Sequence, residues 1–319
     1  MYMKNEQIRR NEKLKIVFMG TPSYATRILE ALMKAPEYDV SLLVTQEDKP
    51  VGRKQILTPP DTKAWALTQA PSLAIFQPKT LRSEEAQEKI ASYHPDVIIV
   101  AAYGQILPKA ILEIAPCINL HASLLPKYRG ASPIQSTLLE NEPYAGVTSM
   151  LMEEGLDTGA ILGLTYLKPA PQDTAEALFE KLADTAATLT LLTLKYFDQA
   201  QPWNQLDADA SYCKKIKKEY GLISWEQTAL HLACQYKAFT PWPGIYLESG
   251  LKIIELQLLE TASTHLVNGT ILEVRDDGVV LACHQGTLLI SKLQPPSKTV
   301  MSANDYLRGK RLICGNVLV

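Results

Sequence analysis

The sequence predicts a two-part α/β protein: a Rossmann-like, doubly wound, mostly parallel sheet followed by a smaller OB-like β-barrel. Three observations carry this reading. Up to about residue 199, compact apolar runs alternate with segments of helical periodicity. The stretch "DQAQPWNQLDADAS" that follows is polar and irregular. After residue 220 the texture changes to short alternating runs with turn signals roughly every eight to twelve residues. The boundaries expected from this are a disordered extension over 1–13, an α/β domain over 14–199, a linker over 200–213 and a barrel over 214–319.

The elements follow in order. "LKIVFMG" (14–20) is an apolar run ending in glycine, the first strand. "TPSYATRILEALMKA" then reads as a helix, with Thr21 as its cap and Pro22 at its first position. "DVSLLVT" (39–45) is the second strand, and "QEDKPVGRKQILTPPD" a long polar loop. A helix near 61–70, a short strand near 73–76, a helix across 83–92 and the strand "DVIIVAAY" (96–103) continue the rhythm. "CINLHASLLPKYRG" (117–130) is an apolar strand with Asn119 and His121 two residues apart, hence on one face. Two polar groups on one face of a buried strand either satisfy each other or hold a substrate. "SPIQSTLLEN" reads as helix, and "GVTSMLMEEGLDTGAILGLTYL" as two antiparallel edge strands around a Gly-flanked bend. A long amphipathic helix is expected over 173–199. Beyond the linker come a helix near 224–237 and several short strands, with "DDG" at 276–278 as a hairpin signal.

Composition narrows the function classes. Of 319 residues 46% are hydrophobic and 21% charged, as in a soluble globular protein. No apolar run approaches the roughly 20 residues of a membrane helix, and the polar start does not read as a signal peptide. Five scattered cysteines without CxxC spacing argue against a disulfide framework and for the cytoplasm. The net charge is −2, yet "KKIKK" (214–218) is a local basic cluster, either a solvated turn or a phosphate contact. The first strand leads into "GTPSYA" and not GxGxxG, so no NAD is expected.

Asn119, His121 and Asp157 form the candidate chemical group, the last presented by "GLDTG" between Gly155 and Gly159. An amide can donate to a developing oxyanion, a carboxylate can orient and charge an imidazole, and the imidazole can move protons. Each has a plainer reading: a strand histidine is more often a satisfied core group, and an Asp in such a bend is often turn chemistry. The asparagine is harder to dismiss, because strands disfavour it. Ser123 lacks a GxSxG elbow and Cys117 belongs to the strand core, which favours direct attack by a substrate amine. No metal is expected.

"NLHASLLPKYRGASPIQ" followed by "GVTSMLMEEGLDTGAIL" resembles the folate-dependent formyltransferases, which share an Asn-x-His strand, a Ser-Leu-Leu-Pro turn and a later Asp. "IVFMGTPSYATRILEAL", "VTQEDKPVGR", "VAAYGQILPKAIL", "KAFTPWPG" and "LQPPSKTVMSANDYLRG" extend the resemblance over about residues 14–318. The resemblance implies a formyltransferase catalytic domain over 14–199 with Asn119, His121 and Asp157 as its catalytic trio. It implies that Ser123, Leu124, Leu125 and Pro126 border the folate, and that "AAYGQIL" lines the pterin pocket. It further implies transfer of a formyl group from 10-formyltetrahydrofolate to the α-amino group of methionine on initiator tRNA. Lys49, Arg53 and Lys54 would then be tRNA contacts, and the barrel a tRNA-binding domain; a monomer is expected. Ala122 stands where the family commonly has Gly, and Lys127-Tyr128-Arg129 where it has Arg-Trp-Arg. A small-amine enzyme of the glycinamide ribonucleotide type would end near the linker, leaving the C-terminal part without purpose. A non-catalytic RNA-binding protein would leave the trio without purpose.

Overall fold

The computed structural model describes residues 13–52, 54–262 and 266–319. Apart from Lys13, the extension expected to be disordered lies outside the described residues. The chain forms two compact units. One comprises the residues up to Gly130, Ala145–Leu167 and Phe179–Tyr212; the other comprises Ala131–Tyr144, Lys168–Leu178 and Cys213–Val319.

The first unit contains β1 (Leu14–Gly20), β2 (Tyr38–Val44), β3 (Lys49–Val51), β4 (Ile56–Thr58), β5 (Ala74–Phe76), β6 (Val97–Ala101), β7 (Cys117–His121), β8 (Arg129–Gly130), β9 (Ala145–Leu151) and β10 (Ile161–Leu167). Helices α1 (Ser23–Lys34), α2 (Asp61–Gln69), α3 (Glu84–Ala91) and α4 (Lys109–Leu112) lie between these strands in the chain. Seven strands form one sheet in the order β10-β9-β7-β6-β1-β2-β5. The run from β7 to β5 is parallel, whereas β9 is antiparallel to both β7 and β10. Continuous apolar runs suit such a sheet because both faces of its strands are covered, and Val97–Ala101 is buried throughout. The predicted fold class and the antiparallel edge are both present.

Two local expectations are overturned. Thr21 does not cap α1: the N-cap position is Pro22, and the Thr21 hydroxyl donates instead to the Tyr103 carbonyl at 2.9 Å, tying together the ends of β1 and β6. The long polar loop contains a hairpin, β3 against β4, pairing Val51 with Ile56. Its β-branched residues outweigh the polar ones around them, and it leaves Val51, Ile56 and Leu57 exposed.

The second unit contains α5 (Pro133–Leu139), which packs on α7 (Ala229–Phe239), a helix capped by the Thr228 hydroxyl accepting from His231 N at 3.1 Å. Helix α6 (Ala175–Lys195) is assigned to the second unit through Leu178 and to the first from Phe179. Near the end of the first unit's chain comes β11 (Tyr212–Cys213). The second unit's sheet is antiparallel, with β12 (Ile245–Tyr246), β13 (Lys252–Glu260), β14 (Ile271–Arg275), β15 (Gly278–Ala282), β16 (Thr287–Gln294) and β17 (Met301–Ser302). The "DDG" signal is a real hairpin: Arg275 faces Gly278 across a two-residue Asp-Asp turn. Gly278 has φ +155°, and a Cβ there would sit 2.5 Å from the Ile290 carbonyl oxygen.

Candidate active site

Strand β7 delivers Asn119 and His121 towards the carboxyl edge of the parallel strands, where ligands bind in open α/β sheets. Across the antiparallel pairing with β9, Asn119 faces Met150 and His121 faces Thr148. Asp157 arrives from the bend between β9 and β10. Its backbone is left-handed at φ +54°, a conformation that costs an L-residue about 1–2 kcal/mol. Gly159 makes this bend possible, since a Cβ there would lie 1.8 Å from the Leu151 carbonyl oxygen.

The structure brings the three predicted residues together. Asn119 Nδ2 donates to Asp157 Oδ1 at 3.4 Å, and His121 Nδ1 lies 3.7 Å from Asp157 Oδ2. The same Oδ2 accepts from Gly130 N at 2.8 Å. On the other side of the ring, His121 Nε2 lies 2.9 Å from the Tyr128 carbonyl oxygen. A carbonyl only accepts, so Nε2 carries a proton, and Nδ1 is the nitrogen that faces the carboxylate. The imidazole is only 6% exposed, so the carboxylate acts on it with little screening by water.

The turn after β7 is closed by its own hydrogen bonds. Ser123 N donates to the His121 carbonyl at 2.9 Å, Ser123 Oγ to the Lys127 carbonyl at 2.6 Å, and Lys127 N to the Leu124 carbonyl at 3.1 Å. Thr148 fastens this turn to β9. Its hydroxyl donates to the Ser123 carbonyl at 2.7 Å and accepts from Leu125 N at 3.1 Å, and it is fully buried. Leu125 packs with Met150 and Ile161, while Leu124 lies over Gly146, where a Cβ would meet it at 2.4 Å. The structure thus places Ser123, Leu124, Leu125 and Pro126 immediately after the Asn-x-His strand. Sequence reasoning missed Thr148; the available signal was a pair of hydroxyl residues, Thr148 and Ser149, within the buried strand "AGVTSML".

A second omission is the segment read as a linker. Its bridge between Ile161 and Trp203 begins a strap of polar contacts. The Gln205 amide donates to the carbonyls of Asp157 (2.8 Å) and Gly159 (2.9 Å), and its Oε1 accepts from Arg129 Nε at 3.0 Å. Arg129, 1% exposed, also donates to Tyr212 Oη at 3.2 Å and to Asp207 Oδ1 at 2.9 Å. Burial alone would push its guanidinium pKa down, but the bonds to Tyr212 and Asp207 outweigh that and hold it above the ordinary value. Ser211 adds two more ties: its Oγ accepts from Tyr128 N at 2.9 Å and its carbonyl from Arg129 N at 2.8 Å. No spacing rule announces these polar pairs, which are separated by 46 to 83 residues.

The strand end after β6 has left-handed residues at Ala102 and Gly104, and Gln105 fixes the loop by accepting from Leu81 N at 3.1 Å. Two buried polar atoms in this part of the unit have no hydrogen-bond partner among the described residues: the Tyr103 hydroxyl and Nε2 of Gln46, the side chain nearest Gly104. Lys49 lies on β3 and Lys54 in the turn after it, both exposed; Arg53 lies outside the described residues. The structure shows no contact between these lysines and the trio. Asp48, just before the hairpin, is gripped by Gln77 at 2.8 Å and by Lys63 at 2.8 and 2.9 Å, and these two hold its carboxyl below the usual range. In the second unit, "KKIKK" buries Ile216 and exposes its four lysines. Among the described residues no three His, Cys, Asp or Glu side chains group as metal ligands. No described helix is long and apolar enough to cross a membrane.

Comparison with known proteins establishes the family. The family described as formyl transferase matches residues 14–194, and that described as formyl transferase, C-terminal domain, matches 215–311. The methionyl-tRNA formyltransferase of a Nitratiruptor species is 53% identical over 303 residues, 95% of this chain and 99% of that one. That of Campylobacter jejuni subsp. doylei is 53% identical over 298 residues, 93% of this chain and 97% of that one. Among solved structures, the sugar 3N-formyl transferase WlaRD, crystallised in the presence of dTDP and 5-N-formyl-THF, shares the fold. It has a TM-score of 0.65 and 20% identity, covering 91% of this chain and 100% of that one. With both halves matched and half the residues identical from end to end, the chain belongs to the methionyl-tRNA formyltransferases, enzymes of the formyl transferase family.

Proposed function

We propose that the protein transfers the formyl group of 10-formyltetrahydrofolate to the α-amino group of methionyl initiator tRNA, with Asn119, His121 and Asp157 as the catalytic residues. The observation that carries this is the meeting of an amide, an imidazole and a carboxylate at one sheet edge, beside a turn closed by its own hydrogen bonds. The folate supplies an electrophilic formyl carbon and a leaving nitrogen. The protein fits such a group: Ser123–Pro126 would border it, and the unpartnered Tyr103 hydroxyl and Gln46 amide could serve the polar edge of a heterocycle.

The acceptor is largely its own nucleophile, because α-amino groups have pKa values of about 7.7–8.0. The protein must align it, stabilise charge on the formyl oxygen and accept its proton. Asn119 Nδ2 and a protonated His121 Nδ1 donate to the developing oxyanion. Asp157 orients His121 and takes the proton lost by the amine as the new C–N bond forms. That proton passes to the folate nitrogen as the old C–N bond breaks, leaving tetrahydrofolate and formylated methionyl-tRNA.

Lys49 and Lys54 of the β3–β4 hairpin, Arg53, which precedes Lys54 in the sequence, and the "KKIKK" lysines would meet the phosphates of the tRNA. The product would serve translation initiation in the cytoplasm. The test is one assay of formyl transfer from 10-formyltetrahydrofolate to methionyl initiator tRNA, with glycinamide ribonucleotide as rival acceptor. Transfer to the tRNA alone is the expected result; preference for the ribonucleotide would overturn the reading.

A further inference from the structure

His121 is held between two residues that both adopt the left-handed conformation disfavoured by side chains. Tyr128, at φ +60°, presents its carbonyl to Nε2, and Asp157, at φ +54°, presents its carboxylate to Nδ1. Backbone of this kind persists only where its surroundings fix it. Here the fixing groups come from one distant segment. Ser211 Oγ accepts from Tyr128 N, and the Gln205 amide donates to the carbonyl of Asp157 itself and to that of Gly159.

We propose that Gln205 is a positioning residue for formyl transfer, which holds the Asp157 carboxylate in register with His121 by clamping the backbone of the 157–159 bend to Arg129. Its two ends bond in different directions. Both amide hydrogens serve the bend, and Oε1 serves the buried guanidinium, itself anchored by Asp207 and Tyr212. The residue after Arg129 completes the loop, since Gly130 N donates to Asp157 Oδ2. Gln205 therefore sets the carbonyl end of Asp157 while the strand carrying Arg129 sets its carboxylate end. Removing the amide donors frees the bend to relax, and a shift of about 1 Å at a reacting group can cost about 10²-fold in rate.

The inference rests on the catalytic role given above to Asp157, and its test separates the two. Single-turnover formyl transfer is measured with saturating methionyl initiator tRNA and 10-formyltetrahydrofolate for wild type, Gln205→Glu, Gln205→Met and Asp157→Asn. Gln205→Glu and Gln205→Met are also measured in the Asp157→Asn background. Gln205→Glu keeps the acceptor for Arg129 and loses the two donors. The expected result is a loss of about 10- to 100-fold, with the thermal midpoint retained and the KM for each substrate within about twofold of wild type. In the Asp157→Asn background the same change should cause little further loss, because Gln205 acts through Asp157. If Gln205→Glu does not fold, Gln205→Met, which is uncharged and of similar length, carries the same expectations. Transfer near the wild-type rate by the folded variants, or an equal loss in both backgrounds, overturns the role of Gln205. A wild-type rate for Asp157→Asn overturns the catalytic reading instead.

Discussion

Asn119 Nδ2 and Asp157 Oδ1, 38 residues apart in sequence, lie 3.4 Å from each other, while the other carboxylate oxygen faces His121 Nδ1 at 3.7 Å. One carboxylate thus aligns two potential oxyanion donors. Both contacts are longer than the usual hydrogen bond, as is common for catalytic groups before substrate draws them together.

Asp157→Asn should therefore fold normally and lose about 10²–10⁴ in the rate of the chemical step, the range for a positioned acid–base group. Asn119→Ala should lose about 10²–10³, the cost of one oxyanion donor. Rapid-quench measurement of formylated tRNA in a single turnover checks both. Near-wild-type rates would remove these residues from the chemistry.

Thr148→Val tests the turn separately from the trio. The substitution nearly preserves shape but leaves Leu125 N and the Ser123 carbonyl without their partner in a fully buried place. A loss of about 1–3 kcal/mol in stability follows, measurable by urea unfolding. The KM for folate should rise more than kcat falls, because the turn is proposed to border the donor and does not contain the trio.

Much of this was legible in the chain, and the reasons differ by element. The parallel strands announce themselves because burial on both faces demands continuous apolar runs such as "VIIVA" (97–101). Asn119 and His121 were readable as one face because side chains alternate along a strand. The hairpin β3–β4 was hidden because its strands are only three residues long and sit among charges. The strap was hidden for a different reason. Gln205, Asp207 and Ser211 have the composition of a loop, and only the folded chain brings them to Arg129, Asp157 and Tyr128. The packing of α5 with α7 was equally invisible, since periodicity reports that a helix has an apolar face and not what covers it.

Alkaline stability should depend on the buried thiols, since burial raises the pKa of Cys234 as well as those of the two most strongly shifted, Cys117 and Cys283. Burial pushes Cys117 in the first unit and Cys283 in the second up to about 12. An unfolded thiol titrates near 8.5, so above that pH the unfolded chain releases a proton that the folded chain keeps. Stability is then full below about pH 8.5 and falls as pH rises towards 12, by up to about 1.4 kcal/mol per pH unit for each thiol. Urea unfolding at pH 7.5, 9 and 10 should show this fall, and Cys117→Ala should make it shallower for the first unit. An unchanged slope in the variant would exclude the Cys117 thiol as a source. Cys314, which is exposed, should react with a thiol reagent in the folded protein while Cys117 and Cys283 do not.

The hairpin lysines make a prediction that distinguishes tRNA contact from simple solvation. Lys49 and Lys54 are exposed, and the stem below them is braced by the Lys63–Asp48–Gln77 cluster. If each meets a phosphate, it displaces a counterion on binding, and the logarithm of affinity falls with the logarithm of salt by about 0.7–0.9 per contact. Lys54→Ala should thus reduce the salt slope of kcat/KM for tRNA by about that amount. The loss in kcat/KM should be largest at low salt and shrink as salt rises, while kcat at saturating tRNA stays unchanged. Lys49→Ala should behave alike, and the double variant should lose about twice the slope, because phosphate contacts at separate positions add. The KM for folate gives the internal control, since neither lysine has a contact with the trio or the Ser123–Pro126 turn. A salt slope that matches wild type in both variants would show these lysines to be solvated, and would move the electrostatic footprint of the tRNA to the lysines of 214–218.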